Sequence, residues 1–411
     1  MPPPTMVMVV VTRCHHYSIR PPGRRSLSGF RTSACSHLPV LIRKRPSRLA
    51  GLPRLYKCQC GSAVFFRNSL CVRCNTPLGY EPLRGRVCPL VPGPIEGTWT
   101  IIGDSDRRLF RYCANIDSPA VCNWLLPVEE PPSPQTLCIS CRLNRTIPDL
   151  SIAENATNWG RIEQAKRRLV SALVALRLPV QSRISEDSEA GLAFDFLHDQ
   201  PNTPRVLTGH SGGIITLNIE EADDATRERN REQLHEPYRT VLGHLRHEVG
   251  HYYWERLVDG TPWIDGFREL FGDEREDYTQ ALERHYRQGP PPDWQSHHVT
   301  AYASSHPWED WAETWAHHMH IVDTLETVFS FRLDIDSVEM PFEPFTQDAL
   351  VKPDKQFLKL VNSWTRFTAV LNEFSRSMGQ PEFYPFVLSP SAVRKVHFVH
   401  TLVEAVRSGD S

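Results

Sequence analysis

Tyr238-Arg-Thr-Val-Leu-Gly-His-Leu-Arg-His-Glu-Val-Gly-His-Tyr-Tyr-Trp254 decides how this chain is read. Tyr238, Val241, Leu242, Leu245, Val249, Tyr252, Tyr253 and Leu257 recur at three- and four-residue spacing, which predicts one helix over 238–257. Inside it stands His247-Glu248-Val249-Gly250-His251. Histidines at i and i+4 share one helical face, about one turn apart, so both imidazoles can meet one metal ion. Glu248 stands beside them, placed to accept a proton from metal-bound water. Five residues of this kind also arise by chance. Three features favour the metal reading: the helix, the strand pair expected ahead of it, and Gly250. That glycine lets another backbone approach at some cost in helix propensity.

A catalytic zinc keeps three protein ligands and one open position, so a third ligand is required. Trp308-Glu-Asp-Trp-Ala-Glu-Thr-Trp-Ala-His-His318 offers it. Glu309 and Glu313 are spaced i, i+4 on a helix whose apolar face is Trp308, Trp311, Ala312, Trp315 and Ala316. One carboxylate can bind the ion while the other accepts the free N–H of a ligand histidine. Glu309 is taken as ligand and Glu313 as its outer partner, with the reverse and Asp310 left open. The bland reading is a Trp-anchored core helix started by His306-Pro307, its first-turn acids suiting the helix dipole.

Cysteines dominate the chain before these helices. Cys58 and Cys60, then Cys71 and Cys74, flank a hairpin-length insert with Val64-Phe65-Phe66 as strand material. Two close pairs read as a four-cysteine zinc ribbon, with Gly61 and Asn75 suited to the turns just past them. The first pair is C-x-C rather than C-x-x-C. A second set, Cys113, Cys122, Cys138 and Cys141, suggests a second zinc. A different pairing, with Cys88 as a ligand, stays open, as does one ribbon plus buried thiols. One catalytic and one or two structural zinc ions are therefore expected. No secretion signal accompanies the cysteines, so a reducing, cytoplasmic compartment is expected.

The whole chain has 411 residues, 40% hydrophobic and 23% charged, with net charge -2. That is a globular mix, and it excludes a chain basic throughout. No run approaches the roughly 20 apolar residues of a membrane helix. Four regions follow. Residues 1–54 are an Arg-rich tail in which the first fifty residues hold no acid. A disordered or mis-started tail, a transit peptide and a basic arm for nucleic acid all fit it. Residues 55–145 are the cysteine-rich ribbon region, 146–330 the mainly helical domain with a small sheet, and 331–411 C-terminal helices packing on it. A helix capped by Asn155 and running to about Leu176 should expose Arg161, Glu163, Lys166, Arg167 and Arg168 as a solvated face. Two strands, 205–209 and Gly213–Ile219, should meet at a His210-Ser-Gly-Gly turn. Helices are expected over Lys355–Ser377 and from Ser389 or Ser391 to Val406.

The 238–254 string resembles the zinc-binding metallopeptidases of bacteria. So do Phe271-Gly-Asp-Glu-Arg-Glu-Asp-Tyr278, Gly289-Pro-Pro-Pro-Asp-Trp294 and His306-Pro-Trp-Glu-Asp-Trp-Ala-Glu-Thr-Trp-Ala-His317. Cys58–Cys74 resembles the zinc ribbon that those proteins carry at their N-terminus. The likeness covers roughly 55–330. It implies an α+β, zincin-like fold of the gluzincin kind, with an active-site helix, a preceding sheet and a glutamate ligand from a later helix. The implied activity is peptide hydrolysis with Glu248 as general base. A substrate strand would pair with the edge of Ile214–Ile219, and Tyr302, His306 and Tyr238 are candidate transition-state donors. His235, His244, His285, His297, His298, His317, His318 and His320 are expected at the surface or behind the ligands. The partners expected are a peptide or protein substrate and a protein bound by the ribbon, to a monomer off the membrane. Nucleic acid is the weaker partner, though Arg67, Arg73, Arg84 and Arg86 give the ribbon a positive edge. Two alternatives remain: a ribbon adaptor with an inactive zincin scaffold, and a zinc hydrolase of non-peptide amides.

Overall fold

The computed structural model describes residues 54–129, 133–199, 205–234, 236–340 and 342–409. The basic segment 1–53, with Cys14 and Cys35, and also His235 lie outside them. The ribbon begins with a hairpin of β1 (Tyr56–Lys57) and β2 (Ala63–Val64). An antiparallel sheet follows in sequence order: β3 (Leu78–Glu81), β4 (Arg86–Pro92), β5 (Trp99–Ile101), β6 (Leu109–Tyr112) and β7 (Leu125–Pro127). The remaining strands form a second sheet: β8 (Asn144–Thr146), β9 (Ala193–Leu197), β10 (Gly209–Ser211) and β11 (Ile214–Asn218). Its order is β10-β11-β9-β8, parallel except for β10.

The helices are α1 (Ala153–Ala175), α2 (Asp224–Gln233), α3 (Val241–Leu257), α4 (Ile264–Phe271), α5 (Tyr278–Gln288) and α6 (Trp294–His297), followed by α7 (Pro307–Ser330), α8 (Lys355–Ser377) and α9 (Pro390–Ser408). The fold is therefore α+β: a small strand-built ribbon region, then a mostly helical domain with a small sheet. One hydrophobic core runs through both, from Tyr56 and Cys58 to Trp159, Tyr253, Trp315 and Val403. None of the described helices is long and apolar enough to cross a membrane.

Helix α3 starts three residues later than the apolar stripe suggests, because the Thr240 hydroxyl caps it, accepting from Gly243 N. Its crossing with α7 is close. A Cβ on Gly250 would stand 3.1 Å from Ala312 Cα, and Trp311 Nε1 donates to Gly250 O at 2.8 Å. Pro307 occupies the first turn of α7 and His306 caps it. Helix α8 has the bounds read from its periodicity, and Ser389 caps α9.

Four expectations are corrected. Residues 205–208 are not a strand, and His210 lies on β10, with Gly212 and Gly213 turning the hairpin at φ 52° and 79°. The Ile214–Ile219 strand has no free edge, because β10 and β9 flank β11 on both sides; the sheet's edges are β10 and β8. The polar face of α1 is only partly a solvated surface: Arg161 is exposed and Arg168 half-buried, but Glu163 and Lys166 are fully buried and Arg167 nearly so. The second cysteine set and β9 cover that face. Lys166 Nζ bonds Glu163 Oε1 at 2.6 Å and lies over the rings of Phe194 and Phe196, while Arg167 donates to Ala120 O. Asn155 does not cap α1; its amide donates to Asp149 O from within the first turn.

Candidate metal centres

Each cysteine cluster is built from tight turns. Gly61 N donates to Cys58 O at 2.9 Å and Asn75 N to Cys71 O at 2.8 Å, with Gly61 and Asn75 in the left-handed region at φ 82° and 54°. The Cys58 and Cys74 sulfurs are 3.5 Å apart, those of Cys60 and Cys71 3.8 Å. Burial pushes the Cys58 thiol up to about 11, whereas the Ser62 hydroxyl and N–H draw Cys60 down to about 6. In the second cluster Cys122 and Cys138 are 3.7 Å apart. Cys138 N donates to Cys113 Sγ at 3.4 Å and Cys141 N to Cys138 Sγ at 3.5 Å. Four thiolates held about 2.3 Å from one ion in a tetrahedron stand ~3.8 Å apart, so both sets fit zinc. The structure groups the cysteines in chain order, and buried Cys88 belongs to neither group.

The third cluster is His247, His251 and Glu309. The crossing at Gly250 turns the first turn of α7 onto the histidine face of α3. His247 Nε2 lies 3.2 Å from His251 Nε2 and 3.0 Å from Glu309 Oε2, and His251 Nε2 lies 3.5 Å from Glu309 Oε1. Donors at 2.0–2.1 Å from zinc in a tetrahedron are ~3.3 Å apart, so this set fits too. Glu309 Oε2 is buried and has no hydrogen bond, which leaves it as the orphan acceptor aimed at the histidines. Burial would raise Glu309, but His251 and His247 outweigh it and hold the carboxyl well below its usual range.

Glu313 Oε1 accepts from His247 Nδ1 at 2.7 Å, which leaves Nε2 as the lone-pair donor. Burial would raise Glu313 as well; His247 holds it below its usual range. Asp310 faces elsewhere, 2.5 Å from Lys395 Nζ on α9 and 3.2 Å from His298 Nδ1. His251 is held by ring packing, with Trp308 4.0 Å and His210 6.3 Å away between centroids. Glu248 is almost buried, and that burial raises its carboxyl against the opposing pull of His247 and His251.

Of the three candidate donors, Tyr302 adjoins the cluster, its ring 6.1 Å from His247. His306 is occupied capping α7 and bonding Glu276 O, and Tyr238 packs on His320 and Phe386. Two neighbours escape a sequence reading. His210 is buried against His251, Tyr252 and Trp308, with burial pulling it down to about 3, so its imidazole is neutral. Tyr278 donates to Glu309 Oε1 at 2.7 Å across 31 residues of sequence. No local spacing signals either contact. Of the histidines expected at the surface or behind the ligands, His317 and His318 are buried, bonded to Tyr384 Oη and His400 Nδ1.

Comparison with known proteins places the chain in a family. An uncharacterized protein of Mycobacterium tuberculosis is 40% identical over 348 residues, spanning 84% of this chain and 94% of its own length. An uncharacterized protein of Mycobacterium bovis matches to the same extent. No solved structure matches. Residues 55–152 match a zinc-ribbon domain, the stretch that holds both cysteine clusters. Residues 155–402 match the family described as "Putative zinc-binding metallo-peptidase", and with the HExxH helix, its glutamate partner and the ribbon ahead of them, the chain belongs to that family.

Proposed function

We propose that the chain is a zinc-dependent peptidase of the gluzincin kind, with His247, His251 and Glu309 as ligands and Glu248 as general base. One observation carries this reading: two imidazole nitrogens and one carboxylate from two crossing helices gather within 3.0–3.5 Å of one another, His247 Nε2 facing Glu309 Oε2 and His251 Nε2 facing Oε1, with Glu248 next to the histidines in the chain. Bound there, zinc lowers the pKa of a coordinated water toward about 7 and polarises a carbonyl. Glu248, its carboxyl raised by burial, takes the water's proton and hands it to the leaving amine nitrogen. Glu313 fixes the tautomer of His247. Trp308 and His210 keep water from the buried flank of His251. The substrate backbone lies along β10. Alternation in a two-residue hairpin turns the His210 N–H and C=O away from β11. Tyr302 is the donor to the developing oxyanion.

The cysteine clusters hold structural zinc, and the first also recruits protein. Supporting this, Val72 on its knuckle is 93% exposed and Phe65 56% exposed, with Arg73 alongside. The nine described cysteines are free thiols, which supports the reducing cytoplasm as the compartment. The chain acts as a monomer.

Zinc counted per chain by plasma mass spectrometry should fall by about one in His251→Ala, with the fold intact by circular dichroism. Glu248→Gln should keep that zinc and lose ~10²–10⁴ in peptide turnover. Wild-type cleavage by Glu248→Gln would sink the peptidase reading. If binding of a partner is then lost in Cys71→Ser alone, the ribbon adaptor replaces it.

A further inference from the structure

Glu309 has two oxygens in different surroundings. Oε2 is buried without a hydrogen bond and faces His247 Nε2 at 3.0 Å. Oε1 accepts from the Tyr278 phenol at 2.7 Å and lies farther from the imidazoles, 3.5 Å from His251 Nε2. A carboxylate can hold a cation through one oxygen or through both. A hydrogen bond to a carboxylate is charge-assisted and about twice as strong as a neutral one. Bringing Oε1 onto the ion as well would compete with that bond for the oxygen's charge.

The phenol is held where it is by groups outside the cluster. Asp277 caps α5, accepting from Gln280 N at 2.9 Å. The segment ahead of it is tied down at both ends. Glu274 pairs with Arg268 of α4, and Glu276 O accepts from His306 Nε2 at 3.1 Å, at the start of α7. The Tyr278 ring packs edge-on to His306 and Trp308, 5.2 and 5.9 Å away. Two of the residues that place Tyr278, His306 and Trp308, therefore stand at the start of the helix bearing Glu309.

We propose that Tyr278 is a positioning residue that restricts Glu309 to one-oxygen coordination through Oε2, keeping the fourth place at the ion open for water or a substrate carbonyl. The inference rests on the ligand set proposed above. It accounts for a phenol on a carboxylate that already has two imidazoles beside it.

The test uses the full chain loaded with cobalt(II) or zinc alone. Cobalt spectra are read as the difference from His251→Ala, which removes this site and leaves the thiol clusters. Tyr278→Phe should weaken zinc binding ~10–100-fold. Its cobalt d–d bands should lose intensity, as expected when four-coordinate cobalt becomes five-coordinate. Tyr286→Phe, on the same helix at a position 58% exposed, should change neither. Identical affinity and spectrum for Tyr278→Phe and wild type would overturn the inference and leave the ligand set standing. So would a fall in turnover alone, which would make Tyr278 a donor to substrate. A wild-type chain that takes up no cobalt beyond His251→Ala would instead sink the ligand set itself.

Discussion

The two cysteine clusters offer the same four thiols and differ in what surrounds them. Of Cys58, Cys60, Cys71 and Cys74, the first and third are buried, Cys60 is half-buried and Cys74 is exposed, with the knuckle residue Val72 almost fully so. Cys113, Cys122, Cys138 and Cys141 are all buried. Three residues past Cys141 the chain enters β8, a strand of the sheet whose far edge is β10. Helix α1 lies directly on this second cluster: Cys141 Sγ is 3.9 Å from Glu163, and Gly160 meets the Pro119 carbonyl. A divalent ion in four thiolates leaves two negative charges. Lys166 and Arg167 sit beside the second cluster as buried cations, whereas the first has solvent. A partly exposed metal site stabilises its own turns; the same site buried under a helix stabilises both the turns and the helix.

The largest effect expected from this contrast is at Cys138. Cys138→Ser should cost on the order of 10 kcal/mol, enough to unfold the helical domain along with the ribbon. Cys74→Ser should release a zinc yet keep the helical melting transition. Thermal circular dichroism with zinc counting reads both, and equal collapse of the two variants would break the contrast. Next comes the buried ion pair. Lys166→Met leaves Glu163 buried without its partner and should destabilise by ~3–5 kcal/mol in urea unfolding. A loss under about 1 kcal/mol, the range of an exposed pair, would mean the face is wetter than described. The smallest effect is at Gly160. Its Cβ would stand 2.6 Å from Pro119 O, so Gly160→Ala should cost ~1–3 kcal/mol although alanine is the better helix former. A stabilised variant would show that α1 and the second cluster are loosely joined.

Much of the chain was legible before any coordinates. The turn roles of Gly61 and Asn75, the close cysteine pairs and the bounds of α8 rest on contacts within a few residues, where spacing and side-chain type decide geometry, and Gly250 stood out as a glycine inside an apolar helical pattern. The polar face of α1 shows where that logic stops. Glu163 and Lys166 at i, i+3 read as a solvated pair on any amphipathic helix, and only a second covering layer makes them interior. The pairing of Tyr278 with Glu309 and of His210 with His251 joins segments 31 and 41 residues apart in sequence, so no periodicity carries it.

The sequence alone determined that His247 and His251 would share a face, because an α-helix repeats every 3.6 residues whatever surrounds it. It also determined that acids would crowd the start of α7, after His306-Pro307. Which acid does what was a tertiary decision. Glu309, Asp310 and Glu313 are locally equivalent. The crossing of α3 and α7 at Gly250 and Ala312 turns Glu309 to both imidazoles and Glu313 to His247 Nδ1, and leaves Asp310 to Lys395 on α9. That choice depends on the angle and depth at which two helices pack, and side chains distant in the chain set both.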